Sequence, residues 1–319
     1  MSKIHLALIA GGNSNEREIS LDGGNQVYNA LDPDKYSVTR YDPKTDLRRL
    51  SEDAEKIDMA LIILHGAFGE DGTIQGMLDL LGIPYQGSGV LGSALAMNKV
   101  VSKQLYGMHG LPVTPDLVFT RRDPLQPEDC IRRLGLPVVV KPVYGGSSVG
   151  ISIVRDASRF CDAFDCAFAH DDTVMVESYV DGVELTGGVI GNDRLQPLPI
   201  VEIVPAKERE FFDYEAKYTP GVTEEICPAR IDDTIAQQAQ TYAEIAHKAL
   251  CCRGYSRTDM ILKGRDIYVI ETNTIPGMTP LSLFPLAAKT AGIPFSKLLD
   301  RLIELGLEQH RSKRRRDNS

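Results

Sequence analysis

Residues 254–273 read GYSRTDMILKGRDIYVIETN. Two runs, Thr258–Leu262 and Ile267–Glu271, alternate polar and apolar residues on either side of Gly264 and Arg265, which spells an antiparallel hairpin. Side chains alternate faces along a strand, so Arg257 and Asp259 share one face and Glu271 and Asn273 share one face. The connection decides whether the two faces coincide. A two-residue loop at Gly264-Arg265 opposes Asp259 to Ile270 and separates the sets. An odd loop, Lys263–Ile267, opposes Asp259 to Glu271 and unites them. The odd register is favoured because it sends Met260, Leu262, Tyr268 and Ile270 together to the other face. Asp259, Glu271 and Asn273 then form a row of oxygen donors suited to Mg2+ or Mn2+. The alternative is a solvated hairpin with incidental acids, because polar alternation is ordinary on half-exposed strands.

Upstream, a buried strand at Pro137–Lys141 runs into Gly145-Gly146-Ser147-Ser148-Val149-Gly150. Glycines let backbone N–H groups approach phosphate oxygens, the serines add donors, and Lys141 adds a charge. No GK[ST] follows, so this is not the Walker pattern, and glycines also serve a tight hairpin turn. GSGVLG at 87–92 matches GxGxxG, but it does not follow the first strand, and positions near 109 offer no acid. A structural entry into the next helix is the better reading.

The first 93 residues alternate strand and helix signals. Ile4–Ala10 and Met59–Leu64 are buried strands ended by Gly11-Gly12 and His65-Gly66, and Ile74–Leu81 is a helix stopped by Gly82-Ile83-Pro84. That order predicts a parallel sheet with helices on its faces. Ligands bind such sheets at the strands' carboxyl ends. Glu16 lies there, able to hold an ammonium or simply to pair with a helix dipole. His65 holds the equivalent place after the second strand and carries less weight.

From Ser93 the pattern changes. Helices are expected at Ala94–His109, Ser158–Ala169, Asp232–Leu250 and Pro294–Leu307, and strands at Ile151–Val154, Val174–Glu177, Leu185–Ile190 and Ile200–Val204. Pro205–Glu225 is long, polar and aperiodic, and reads as a lid, a binding loop or disorder.

Composition narrows the class. The 319 residues are 43% apolar and 25% charged, with net charge −9, which are globular values. At roughly 100–200 residues per domain, two or three units are expected. No apolar run spans a membrane. The opening MSKIHLALIAGGNSNERE turns polar after Ala10 and lacks a signal peptide's small-residue cleavage site. Six cysteines without CxxC fit a reduced, cytoplasmic setting. The acidic balance argues against nucleic acid as a partner. A basic tail at 311–319 is expected to be a frayed, solvated terminus.

Seven segments, in this order, resemble the D-alanine–D-alanine ligases of the ATP-grasp superfamily. They are GGNSNEREISL (11–21), HGAFGEDGTIQGMLDLLGIPYQGSGVLGSALAMNK (65–99), VVVKPVYGGSSVG (138–150), VESYVDGVELT (176–186), FFDYEAKYTPGVTEEICPA (211–229), GYSRTD (254–259) and ETNTIPGMTPLSLFPLAA (271–288). The resemblance implies an α/β protein: a Rossmann-like domain over 1–93, then two ATP-grasp lobes over 94–181 and 182–310, forming a homodimer as relatives commonly do. It implies ATP-dependent joining of two D-alanines through a D-alanyl phosphate, for peptidoglycan precursor synthesis. Lys99, Lys141 and Ser148 would meet the phosphates, Glu177 and Val180 the adenine, Glu184 the ribose, and Phe211 would pack on the base. Asp259, Glu271 and Asn273 would hold two Mg2+ or Mn2+ ions. Glu16 would hold the first D-alanine's ammonium, beside His65, and take part in a proton path with Ser147 and Tyr218. Arg257 and the Gly277 N–H would stabilise the oxyanion. Lys217 would belong to the closing loop, and Ser282 and Leu283 would line the second substrate's site. AKY at 216–218 favours an amine nucleophile over D-lactate. Asn98, Gly145, Ser256 and Leu185-Thr186-Gly187-Gly188 depart from the family's usual residues. Two other readings stay open at this point: a related ligase taking D-serine or another acid second, and a non-catalytic nucleotide-binding regulator, which lost metal ligands or a lost Arg257 would betray.

Overall fold

Ile4–Ile9 (β1), Tyr36–Tyr41 (β2) and Met59–Ile62 (β3) pair in parallel in the order β2-β1-β3. Every residue of β3 and the last four of β1 are buried, as continuous apolar runs in a covered sheet require. Helices α1 (Arg17–Ala30), α2 (Leu47–Glu52) and α3 (Thr73–Leu80) connect and flank these strands. The structure is a computed structural model that describes residues 3–123, 127–146, 148–205 and 223–317, the last five as backbone.

Residues 94–109 do not form the single helix that the apolar pattern suggests. α4 (Val90–Met97) ends and α5 (Lys99–Met108) begins at Asn98. Asn98 is extended, at φ −86° and ψ 103°, and its Oδ1 accepts the N–H groups of Val100 and Val101 at 3.1 and 3.0 Å. A short amide that satisfies two free N–H groups starts a new helix rather than continuing the old one. The break turns Lys99 so that its N–H reaches the carbonyl of Val143 at 3.3 Å.

A second sheet is antiparallel. Asp116–Thr120 (β4), Val138–Pro142 (β5), Ser152–Val154 (β6) and Thr173–Ser178 (β7) lie in the order β4-β7-β5-β6. Val138, Val140, Val174 and Val176 pack under α6 (Pro127–Leu134) and α7 (Phe160–Phe168), through Cys130, Phe160 and Phe164.

The third sheet is larger. It comprises Val183–Gly191 (β8), Gln196–Pro197 (β9), Val201–Pro205 (β10), Thr223–Ile226 (β11), Gly254–Lys263 (β12) and Asp266–Asn273 (β13). The order is β11-β10-β8-β12-β13, with β9 on β8, and every pairing is antiparallel. Pro205 pairs with Thr223, so both ends of the stretch expected to be a loop are strand. The interior, 206–222, lies outside the described residues. α8 (Asp233–Ala249) covers the sheet, and α5 joins it there: Tyr106 and Leu111 share a core with Leu185, Met260, Val269 and Ala246. Glycine at 187 and 188 permits close approach of the helices. A Cβ at Gly187 would stand 3.0 Å from Ala243 Cβ, and one at Gly188 about 3.1 Å from the Phe284 ring. β-Branched residues would not fit.

α9 (Leu283–Thr290) and α10 (Phe295–Asp317) tie the first sheet to the third, through Leu6, Met59 and Leu61 on one side and Tyr255, Phe284, Leu298 and Leu302 on the other. α10 runs ten residues past the expected end at Leu307, so the basic residues 311–317 continue the helix instead of fraying from it. Lys and Arg are good helix formers, and cations at a helix C-terminus oppose its dipole.

Candidate active site

The hairpin of β12 and β13 reaches the expected pairing by another route. Its loop is the two-residue one: Lys263 pairs with Asp266. A bulge between Asp259 and Met260 on one strand, with Ile270 as the extra residue on the other, restores Asp259 opposite Glu271 and Arg257 opposite Asn273. The odd loop is therefore wrong and the shared face is right. The apolar assignment changes too. Ile267 and Val269, not Tyr268 and Ile270, go to the core with Met260 and Leu262.

On the open face Arg257 clamps Asp259 in a bidentate ion pair, Nε–Oδ1 at 2.9 Å and a terminal nitrogen to Oδ2 at 2.8 Å. Asn273 Nδ2 donates to Asp259 Oδ2 at 3.1 Å, and Thr186 Oγ1 donates to Oδ1 at 2.7 Å. Glu271 stands 3.8 Å from Lys99 Nζ. Asp259, Glu271 and the Asn273 amide carry oxygen donors of the type a hard divalent cation takes, with Asp259 bonded at both oxygens in this arrangement.

The facing network belongs to the second sheet. Glu177 on β7 takes Lys141 of β5 on one oxygen and Lys103 of α5 on the other, the latter at 2.8 Å. Thr114 donates to the same oxygen at 2.9 Å, and Asp116 stands 3.3 Å from Lys103. The exposures of Lys103, Lys141 and Glu177 are 5%, 3% and 5%. Burial works against the Glu177 charge, but Lys141 and Lys103 outweigh it and hold the carboxyl down to about 2. Lys99, the first residue of α5, donates to the Gly145 carbonyl at 2.5 Å.

Between the two networks lies a cavity of about 400 Å3. It is lined by Lys141, Ser148, Glu177, Val180, Glu184, Arg257, Asp259, Glu271 and Leu283, so nine expected site residues meet there. Apolar Val139, Ile153, Met260 and Ile270 fill in the walls, the mix of flat apolar surface and a few placed charges that a nucleotide needs.

The first sheet brings in a third group. Glu16 precedes α1 and is buried, as is His65 after β3. Gly66 lies between two carboxylates: a Cβ there would meet Glu16 Oε2 at 2.8 Å, and its N–H donates to Glu70 at 2.7 Å. Only glycine, at φ +71°, allows that approach. Burial, and then the Glu16 charge, push the Glu70 carboxyl up to about 8. Burial lowers the His65 pKa, against the pull of Glu16 and with the push of Arg257. Arg257 therefore faces the acidic pocket of the first sheet as well as Asp259.

Gly277 and Ser282 are neighbours, with 3.0 Å from a Cβ at Gly277 to Ser282 Oγ. The Ser282 hydroxyl accepts the Thr279 N–H at 3.1 Å instead of capping α9. Leu283, the first residue of α9, is buried. Ser147, Phe211, Lys217 and Tyr218 lie outside the described residues. Sequence reasoning missed Lys103, Thr114, Thr186 and Glu70. Lys103 had a signal, since it lies one helical turn past Lys99.

Comparison with known proteins agrees at every level. The family described as D-ala D-ala ligase C-terminus matches residues 105–304, and that described as D-ala D-ala ligase N-terminus matches 42–88. The D-alanine–D-alanine ligase of Syntrophobacter fumaroxidans is 63% identical over 306 residues, covering 96% of this chain and 98% of its own. That of Desulfotalea psychrophila is 54% identical, covering 98% of both. Among solved structures, the Bacillus anthracis D-alanine–D-alanine ligase complexed with ATP superposes with a TM-score of 0.85 at 34% identity, over 97% of this chain and 99% of its own. The VanG D-Ala:D-Ser ligase of Enterococcus faecalis gives 0.81 at 32%, over 96% and 100%. Similarity of this extent spans all three sheets and the cleft between them, and the chain belongs to the D-alanine–D-alanine ligase family.

Proposed function

We propose that this chain joins two D-alanines at the expense of ATP, releasing ADP and phosphate and supplying the dipeptide for peptidoglycan. The observation that carries this reading is the convergence of two charged networks on one cavity: Lys141 and Glu177, the latter held from behind by Lys103, on one wall, and Arg257, Asp259 and Glu271, with Asn273 bonded to Asp259, on the other.

Lys99, Lys141 and Ser148 are proposed to hold the ATP phosphates, with Glu177, Val180 and Glu184 along the adenosine. Asp259, Glu271 and Asn273 would hold two Mg2+ or Mn2+ ions, which supply counter-charge to the phosphates when bound. The first D-alanine's carboxylate attacks the γ-phosphorus, an O–P bond forms, and ADP leaves. Glu16 holds that substrate's ammonium, aided by His65. The second D-alanine's amine attacks the acyl carbon, and phosphate leaves with the electron pair of the broken C–O bond. Arg257 and the Gly277 N–H bear the negative charge that develops on the carbonyl oxygen. Ser147 and Tyr218 are assigned to the amine's proton path, Lys217 and Phe211 to covering the nucleotide, and Ser282 and Leu283 to the second substrate, all on the sequence resemblance.

The proposed division is 1–93, 94–181 and 182–310, supported by the placing of one sheet within each. The working unit is proposed to be a homodimer in the cytoplasm. Free thiols at all six cysteines suit that compartment, and among the described residues no helix is long and apolar enough to cross a membrane.

The test is ATP-dependent phosphate release with Mg2+, comparing D-alanine, D-serine, D-lactate and L-alanine, with the product weighed by mass spectrometry. D-Alanine alone is expected to turn over to the dipeptide. Release only with D-serine or D-lactate as co-substrate would replace the assignment.

A further inference from the structure

Behind the metal-ligand row runs a buried chain of hydroxyls. Tyr106, on α5 and fully buried, donates to Thr272 Oγ1 at 2.8 Å. Thr272 and Thr258 share a hydrogen bond at 3.0 Å across the hairpin. They are a register pair, flanked by Arg257–Asn273 and Asp259–Glu271.

That pairing exists only because of the bulge. The two-residue turn alone sets Asp259 against Ile270 and Thr258 against Glu271. Paired residues share a face, so Glu271 and Asn273 would then turn into the core and Thr272 out to the cavity. In that register the Tyr106 hydroxyl loses Thr272 and keeps only Ser102 of its own helix beside it, and losing a buried hydrogen bond is costly. The same helix carries Lys99, 3.8 Å from Glu271, and Lys103, bonded to Glu177. Its Tyr106 end thus registers the hairpin against the helix whose Lys99 and Lys103 reach the cavity-lining carboxylates Glu271 and Glu177.

We propose that Tyr106, acting through Thr272 and Thr258, is a positioning residue that selects the bulged register and so holds Asp259, Glu271 and Asn273 on one face. This rests on the reading of those three residues as cation ligands.

The test uses the full chain with ADP, and reads Mn2+ binding from the electron spin resonance signal of free Mn2+. Tyr106→Phe and Thr272→Val each remove a hydroxyl and little volume. Both are expected to weaken Mn2+ binding about tenfold or more, in the range typical of lost outer hydrogen bonds to a metal site. ADP affinity without metal should stay within twofold. Thr272→Ser keeps the hydroxyl and is expected to bind Mn2+ like the wild type, and the double variant Tyr106→Phe, Thr272→Val to be no worse than Thr272→Val. Asp259→Asn is the reference. If it leaves Mn2+ binding intact, the ligand assignment itself fails. If it weakens binding while Thr272→Val stays within twofold of wild type, the hydroxyls only pack the core and the proposal is overturned. Should Tyr106→Phe not fold, Thr272→Val against Thr272→Ser decides the matter alone.

Discussion

Replacing Glu177 by Gln removes one negative charge from between two buried lysines and leaves the volume unchanged. The carboxyl is held at about 2 against an ordinary 4.5. Carried through the linkage relation, that depression corresponds to stabilisation on the order of 3 kcal/mol at neutral pH. The independent expectation for stranding buried charges is similar, about 3–5 kcal/mol. The pH dependence follows in sign. A depressed acid stabilises the fold above its unfolded pKa, and that contribution drains away as pH falls from 4.5 toward 2. At pH 4 about 1 kcal/mol of it is already gone. Urea unfolding of both proteins at pH 7 and pH 4 checks this. Glu177→Gln should be roughly 3 kcal/mol less stable at pH 7, and the gap should narrow by about 1 kcal/mol at pH 4. A variant within 1 kcal/mol of wild type at pH 7, or a gap that does not move with pH, would refute the claim that Lys103 and Lys141 are compensated by this carboxylate.

Other outcomes are expected on the same grounds. Asn98→Ala loses the acceptor for two N–H groups at the start of α5, and thermal unfolding should show a loss of about 1 kcal/mol, while Asn98→Asp should be nearly neutral. Arg257→Lys cannot reproduce the bidentate clamp on Asp259; kcat should fall about 100-fold or more with nucleotide affinity changed only a few-fold. His247 bonds Ser256 through Nδ1 at 2.7 Å, and burial lowers its pKa to about 4. Its neutral form therefore stabilises the fold above pH 6.5, a contribution lost as pH falls toward 4, and His247→Gln should flatten the stability profile across that window.

Much of this was legible in the residues. Strands with continuous apolar runs, such as residues 6–9 of β1 and Met59–Ile62, declare themselves because burial on both faces leaves no other pattern. The pairing of Asp259 with Glu271 was legible from polarity, although the device that produces it was not. A bulge adds one residue without any required side chain, so Ile270 gave no signal. Asn98 sits in an apolar-periodic run, and its capping role depends on a competition that periodicity does not measure. Lys103 had a signal in its spacing from Lys99, but its bond to Glu177 was not legible, because the two lie 74 residues apart and the sequence does not name that strand's neighbours. The pairing of Ser256 with His247 shows the same limit: a departure at one position is matched by a residue on another element.

The acyl phosphate route is tested most directly by following oxygen. D-Alanine labelled with 18O in its carboxylate is incubated with the chain, ATP and Mg2+, and the phosphate released is weighed. The account predicts one labelled oxygen in the phosphate for each dipeptide formed, because the carboxylate oxygen that attacks the γ-phosphorus departs with it. Dipeptide formation with unlabelled phosphate would contradict it.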